Sequence, residues 1–239
     1  MASTSEEFAS ENVHRAPTFE GTFDIGVMLG DCGIEPAVQR YDAAADAVSW
    51  PLIDYSSCPP TDDQMAINRW LARAPLAGKR ILHVGAGNSS IARLLAEDVD
   101  AVVAVTVSVN EWRHAQTLDL PGYTPLLMNK HSEAFASAFG AGSFDYIVDN
   151  NLSSFACCQK HFERYVAAIA DALADDGVIL THWLGMRWVL DVGVDDVESA
   201  WLLDETKLRT IATAFGLRLD RDGDLFFLRH AGRSGPSVA

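Results

Sequence analysis

The chain has 239 residues, 49% apolar and 21% charged, a composition for a folded domain of ordinary to large size and not for a disordered chain. Its 33 acidic and 18 basic residues leave a formal charge of −15, which argues against a phosphate backbone or an anionic membrane as partner. No apolar run reaches the roughly 18–20 residues that span a bilayer, and Met1 to Arg15, with Glu6, Glu7 and Glu11, lacks the apolar stretch of a secretory signal, so a cytoplasmic location is expected.

Residues 1–20 are polar and without periodicity, which predicts a mobile tail. Residues 21–75 are expected to form an irregular N-terminal stretch followed by a helical segment. This part is punctuated by Gly26, Gly30, Gly33, Pro36, Pro51, Pro59 and Pro60, with Trp50, Leu52, Ile53 and Tyr55 to pack on something. Thr61 is placed to cap a helix through about Arg73, with Asp62 and Asp63 in its first turn, where the helix dipole favours negative charge. From Gly78 a regular alternation begins. Strands are predicted at Arg80–Val84, Asp100–Val107, Thr124–Asn129, Phe144–Val148 and Gly177–His182. Helices are predicted at Ser89–Glu97, with Ile91, Leu94 and Leu95 on one face, at Asn110–Leu118, at His161–Ala174, and at Asp204–Phe215, ended by Gly216. Leu217–Leu219 and Leu225–Arg229 close as a hairpin around Asp222-Gly-Asp224, and 232–239 is expected to fray. The expected fold class is α/β: a Rossmann-like, mostly parallel sheet over 76–231, with helices on both faces and an antiparallel C-terminal hairpin.

Four cysteines, Cys32, Cys58, Cys157 and Cys158, include no C-x-x-C pair. Neither a disulfide framework nor a cysteine zinc site is expected, and no clustered carboxylates suggest a hard cation, so no metal is expected.

The most informative stretch is Ile81-Leu-His-Val-Gly85-Ala86-Gly87-Asn88-Ser89-Ser-Ile, an apolar strand that runs through Gly-x-Gly directly into a helix. Gly85 permits a sharp turn, Gly87 lets backbone approach a ligand, and helix N–H groups face whatever sits there. A third glycine is replaced by Ser89. A plain tight strand–helix turn is the alternative reading.

With this loop the chain resembles the class I S-adenosylmethionine-dependent methyltransferases. The resemblance continues through Ser143-Phe-Asp145-Tyr-Ile-Val-Asp149, the Leu173-Ala-Asp-Asp-Gly177 turn, and the closing helix and hairpin. It implies S-adenosylmethionine as cofactor, held in part by Gly85, Ala86, Gly87, Asn88 and Ser89. The family usually ends its second strand with an acidic residue for the ribose, but here Thr106 stands there. The segment Val103-Ala-Val-Thr106-Val-Ser108-Val-Asn110-Glu111 is similar to one in the cyclopropane-fatty-acid synthase branch. That likeness implies Thr106, Ser108 and Glu111 around the ribose, since a carboxylate accepts from both hydroxyls; a solvated first-turn charge is the alternative for Glu111. By the same resemblance Ser132 and Glu133 would meet the adenine, unless Glu133 is a plain surface carboxylate. Asp149, Asn150 and Asn151 would meet the amino-acid end, or else only form a turn; in this family the N-terminal region, here 21–75, often forms a lid, from which Tyr55 would touch cofactor or substrate.

His161 and His182 are the candidate general bases. The run from Thr181 to Trp188 either floors an apolar pocket or packs as core. The expected activity is methyl transfer to a small molecule, at oxygen with nitrogen or carbon left open, in biosynthesis, with no nucleic acid or membrane partner. The resemblance leaves open a cofactor-binding protein of this fold that transfers no methyl, acting as scaffold or as a biosynthetic catalyst such as a cyclase. A nicotinamide oxidoreductase also begins strand–Gly-x-Gly–helix, but the acid expected after its second strand is missing.

Overall fold

A computed structural model describes residues 31–33, 35–38, 41–42, 47–48, 54–154, 156, 158–187 and 202–232. The expectations for the tail at 1–20, for Trp50, Cys157 and Trp188, and for most of the C-terminal tail lie outside them. Two short strands, β1 (Tyr41–Asp42) and β2 (Ala47–Val48), pair antiparallel within the stretch read from sequence as irregular. Then follow α1 (Asp62–Leu71), β3 (Arg80–Val84), α2 (Ser90–Leu95), β4 (Ala101–Thr106), α3 (Val109–Gln116), β5 (Tyr123–Leu127), α4 (Glu133–Ala136) and β6 (Phe144–Asp149). The chain continues with α5 (Gln159–Ala172), β7 (Leu173–His182), α6 (Trp183–Met186), α7 (Glu205–Ala214), β8 (Leu217–Asp222) and β9 (Leu225–His230).

Strands β3 to β9 form one seven-stranded sheet in the order β5-β4-β3-β6-β7-β9-β8. The five from β3 to β7 are parallel to one another, and β9 runs antiparallel to both β7 and β8. This is the expected Rossmann-like sheet with its antiparallel C-terminal pair. Alternation of side chains across each strand divides the core between two faces. Leu82, Ile147, Ile179 and Phe226 point to one face, where Phe162, Tyr165 and Ile169 of α5 and Leu208 and Ile211 of α7 cover them. Ile81, Val148, Leu180 and Phe227 point to the other, covered by Ile67 and Leu71 of α1 and Ile91 and Leu95 of α2.

Three local departures from the sequence expectation have clear causes. Thr61 does precede the first helix, but its side chain makes no cap hydrogen bond. Leu94, expected on the buried face of α2, is 47% exposed, because a helix of six residues buries a narrower stripe: Ile91, Ala92 and Leu95. The strand expected from Gly177 begins at Leu173, with an irregularity where the partner register steps from Phe144↔Leu173 to Tyr146↔Val178.

Candidate functional site

The strand order reverses at β3, whose neighbours β4 and β6 lead the chain to opposite sides of the sheet. At such a switch point the loops beyond the strand ends diverge and leave a crevice. Register brings the three ends level, since Val84 is the partner of both Val105 and Asp149. A cleft of about 620 Å³ opens there, within the range of small-molecule sites.

Its floor is the loop after β3. The N–H groups of Gly85 and Ala86 both donate to the Val105 carbonyl, at 2.8 and 3.1 Å, which stitches the loop to β4. Residues 85, 87 and 89 all have positive φ, of 85°, 49° and 62°. Ser89 therefore adopts the left-handed backbone that a third glycine would take at less steric cost. Its buried hydroxyl is hydrogen-bonded to the Tyr123 phenol at 2.7 Å, so the side chain sits under the loop and does not line the cleft.

The carboxylate of Glu111 lies beside this loop. Ser108 caps α3 by accepting from the Glu111 N–H at 3.3 Å, which sets the first turn that carries the carboxylate. Glu111 is 3% exposed and accepts three hydrogen bonds: from the Thr106 hydroxyl at 2.6 Å, the Gly87 N–H at 3.3 Å and the Tyr55 N–H at 3.0 Å. Burial pushes its carboxyl up, opposed by those donors. A carboxylate offers about four acceptor positions, so one is left for a ligand. Thr106 thus stands where the sequence placed it, at the end of β4, and holds an acid delivered from the next helix.

The opposite wall comes from β3 and β6. His83 is 3% exposed and its Nδ1 has no hydrogen-bond partner; burial pulls its pKa down to about 4, so it is neutral at neutral pH. Asp149 accepts from Lys130 Nζ at 2.8 Å, Tyr165 OH at 2.5 Å and the Asn151 N–H at 2.9 Å. Lys130 is itself buried, lies over the Tyr165 ring at 5.1 Å, and also donates to the Asn151 carbonyl at 2.6 Å. Burial lowers its pKa, against the pull of Asp149. Asn150 donates from Nδ2 to Asp63 at 2.5 Å, tying the start of α1 to the end of β6. A side chain at Gly185 would run into the Asn150 carbonyl and side chain, so only glycine lets α6 approach this closely.

The structure brings Tyr55, Gly85, Ala86, Gly87, Asn88, Thr106, Glu111, Asp149, Asn150 and Asn151 together in the cleft. It does not bring the rest. Ser108 is the α3 cap described above. Ser132 caps α4, accepting from the Phe135 N–H at 3.1 Å, and Glu133 pairs with Arg164 at 3.0 Å. His182 Nδ1 accepts from the Leu184 N–H at 3.1 Å, and His161 Nδ1 lies against the sulfurs of Cys32 and Cys158. Past β5 the wall is made by Met128, Asn129 and Lys130, because the Met128 N–H donates to the Thr106 carbonyl and carries the chain over the strand ends. Sequence reasoning missed His83 and Asn129. A histidine inside an apolar strand reads as core, and its one signal was position, two residues before Gly85.

No family model matches the chain, and no curated protein matches it by sequence. Among solved structures, the complex of the Haloferax volcanii Trm112 methyltransferase activator with a protein described as a methyltransferase contains a similar chain. It aligns with a TM-score of 0.51 and 15% identity over 65% of this chain and 69% of that one. A TehB-like SAM-dependent methyltransferase from Corynebacterium glutamicum aligns with TM-score 0.49 and 19% identity over 67% of this chain and 84% of that one. The magnesium protoporphyrin IX methyltransferase from Synechocystis, with bound SAM, gives TM-score 0.49 and 16% identity over 69% and 77%. At these identities the likeness is one of fold.

Proposed function

We propose that this cleft binds S-adenosylmethionine and that the chain transfers its methyl group to a small molecule, at oxygen. The observation that carries the reading is Glu111: a buried carboxylate, oriented by three donors, with an acceptor position left beside a glycine loop at the sheet's switch point. The residues present fit the cofactor. Glu111 would take one ribose hydroxyl at its remaining acceptor position, and the backbone from Gly85 to Asn88 would pass the nucleoside closely. Met128, Asn129 and Lys130 would border the adenine, in place of Ser132 and Glu133. The neutral His83 Nδ1, without a protein partner, would accept from the ammonium of the amino-acid end.

When bound, S-adenosylmethionine supplies an already activated methyl group on its sulfonium. The chain's part is then alignment and the exclusion of water. Residues 54–61 are proposed as the lid: the Tyr55 N–H is bonded to Glu111, and Asn88 Nδ2 donates to the Cys58 carbonyl at 2.5 Å. Tyr55 and Leu184, 42% and 56% exposed, line the cleft and offer apolar surface to an acceptor. His161 and His182 lie outside the cleft, and His83 is held neutral with little basicity. The transfer is therefore proposed to use no histidine base, which suits an acceptor oxygen that is ionised or easily deprotonated.

Calorimetry tests the site. The wild type should bind S-adenosylmethionine or its demethylated product with micromolar affinity. Gly87→Asp should abolish the heat, because it adds strain at a φ of 49° and a second carboxylate beside Glu111. Normal binding by that variant would remove the glycine loop from the site.

A further inference from the structure

The fold gathers two sulfurs and an imidazole at a place outside the cleft. Cys158 stands at the N-cap of α5, His161 lies in its first turn, and Cys32 comes from the segment at 31–38, far away in sequence. Cys158 Sγ is 3.3 Å from His161 Nδ1, and Cys32 Sγ is 3.5 Å from the same nitrogen. All three ligand atoms lie within 4.8 Å of one another. None of the three residues lines the cleft.

The two sulfur–nitrogen separations are those of a coordination polyhedron. Zinc–sulfur bonds of about 2.3 Å and zinc–nitrogen bonds of about 2.0–2.1 Å, at tetrahedral angles, put sulfur about 3.5 Å from nitrogen and the two sulfurs about 3.8 Å apart. The observed sulfur–nitrogen distances, 3.5 and 3.3 Å, match the first of these, and the two sulfurs lie within 4.8 Å of each other. Thiolate and imidazole select a zinc-class cation over calcium or magnesium, which want oxygen. Cys158 and His161 are buried, whereas Cys32 is half-exposed, so ligands are fixed on the protein side and one corner faces solvent.

We propose that Cys32, Cys158 and His161 form a site for a thiophilic divalent cation of the zinc class, with water in the fourth position. Binding displaces a proton from each thiol, so affinity rises with pH. The cation fastens the 31–38 segment to α5. That segment is already laid along the domain: Asp31 pairs with Lys160 at 2.8 Å, Glu35 with Arg164 at 3.1 Å, and the Ala37 carbonyl accepts from Asn129 Nδ2 at 2.8 Å. Asn129 lines the cleft, so the proposed site sits at the far end of a strap that reaches the cleft wall. The expectation of no cysteine metal site came from spacing alone, and spacing cannot see Cys32 folding back onto α5.

The test uses the full chain, reduced and stripped with a chelator, titrated with Co²⁺ and then with Zn²⁺. The expected result is one Co²⁺ per chain with thiolate-to-cobalt charge-transfer absorption, displaced by one equivalent of Zn²⁺. Cys32→Ser should weaken binding at least about tenfold, the loss already typical of outer-shell partners. Cys158→Ser should abolish the band, and Cys58→Ser should keep it. Because Cys158 is buried, its variant is read only if its melting curve stays cooperative, whereas Cys32→Ser, half-exposed, is decisive alone. A wild type without the charge-transfer band, a Cys32→Ser variant with unchanged affinity, or recovery of a Cys32–Cys158 disulfide from the metal-treated protein would each overturn the assignment. Each outcome is read without any nucleoside cofactor, so it stands or falls apart from the function proposed for the cleft.

Discussion

At the scale of single residues the site depends on polar groups held in the dry interior. Burial costs their charged forms unless a partner compensates. His83 has none at Nδ1, and its pKa falls to about 4; His131, also buried, falls to about 3, with burial as the main cause and Lys130 beside it as the next. Both stay neutral in the folded protein at a pH where an unfolded histidine, near 6.5, takes a proton. The unfolded state therefore binds more protons as pH drops below about 6.5, and stability falls with it until the folded groups titrate near 4 and 3. At about 1.36 kcal/mol per unit, His83 contributes a loss on the order of 3 kcal/mol over that window. Denaturant melts from pH 7 to pH 4 should show it, and His83→Gln should flatten that part of the slope; an unchanged slope in the variant would contradict the assignment. Of these residues, Glu111 was singled out only through a resemblance, and the structure sets its carboxylate beside the glycine loop. His83 was not, because its significance is an absent partner, which only the packed structure reveals.

Among the elements, the strands of the parallel sheet and the helices between them were read from the placing of their apolar residues. Ile91 and Leu95, Phe162 and Val166, and the unbroken run in β4 each report a face buried by the sheet. The helices that were missed, α4 at Glu133–Ala136 and α6 at Trp183–Met186, are four residues each, too short to show a 3.6-residue period. They matter to the site all the same. Helix α4 draws Ser132 and Glu133 into a cap and an ion pair, away from the cleft. Helix α6 presses Gly185 against Asn150, which reaches Asp63 at the start of α1. Gly185→Ala should force that contact apart and cost about 1–3 kcal/mol, the usual penalty for overpacking. A fall in denaturation midpoint, with weaker binding of the demethylated cofactor, is the expected outcome. A variant as stable as the wild type would mean that α6 can move away without loss.

For the molecule as a whole, the sheet order places three strand ends at one edge, and that convergence makes the cleft. The parallel sheet was legible from strands alternating with helices after Gly78, and the closing hairpin from Asp222-Gly-Asp224. The insertion of β9 between β7 and β8 is a matter of pairing, to which hydrophobic pattern is indifferent. Similarly, no sequence signal joins Cys32 to Cys158 and His161, since the contact is made by the path of the 31–38 segment over α5. Among the described residues no helix is long and apolar enough to cross a membrane. The central claim is that Glu111 receives the ribose of an adenosyl cofactor. It is tested most directly by titrating the wild type and Glu111→Ala with S-adenosylhomocysteine and with its 2′,3′-dideoxy form. Hydrogen bonds to a charged group are worth about 1.5–3 kcal/mol. The wild type should therefore lose roughly 10- to 150-fold in affinity when the hydroxyls are removed, while Glu111→Ala, already weak, should bind the two ligands alike. Equal sensitivity to the hydroxyls in both proteins would contradict the claim.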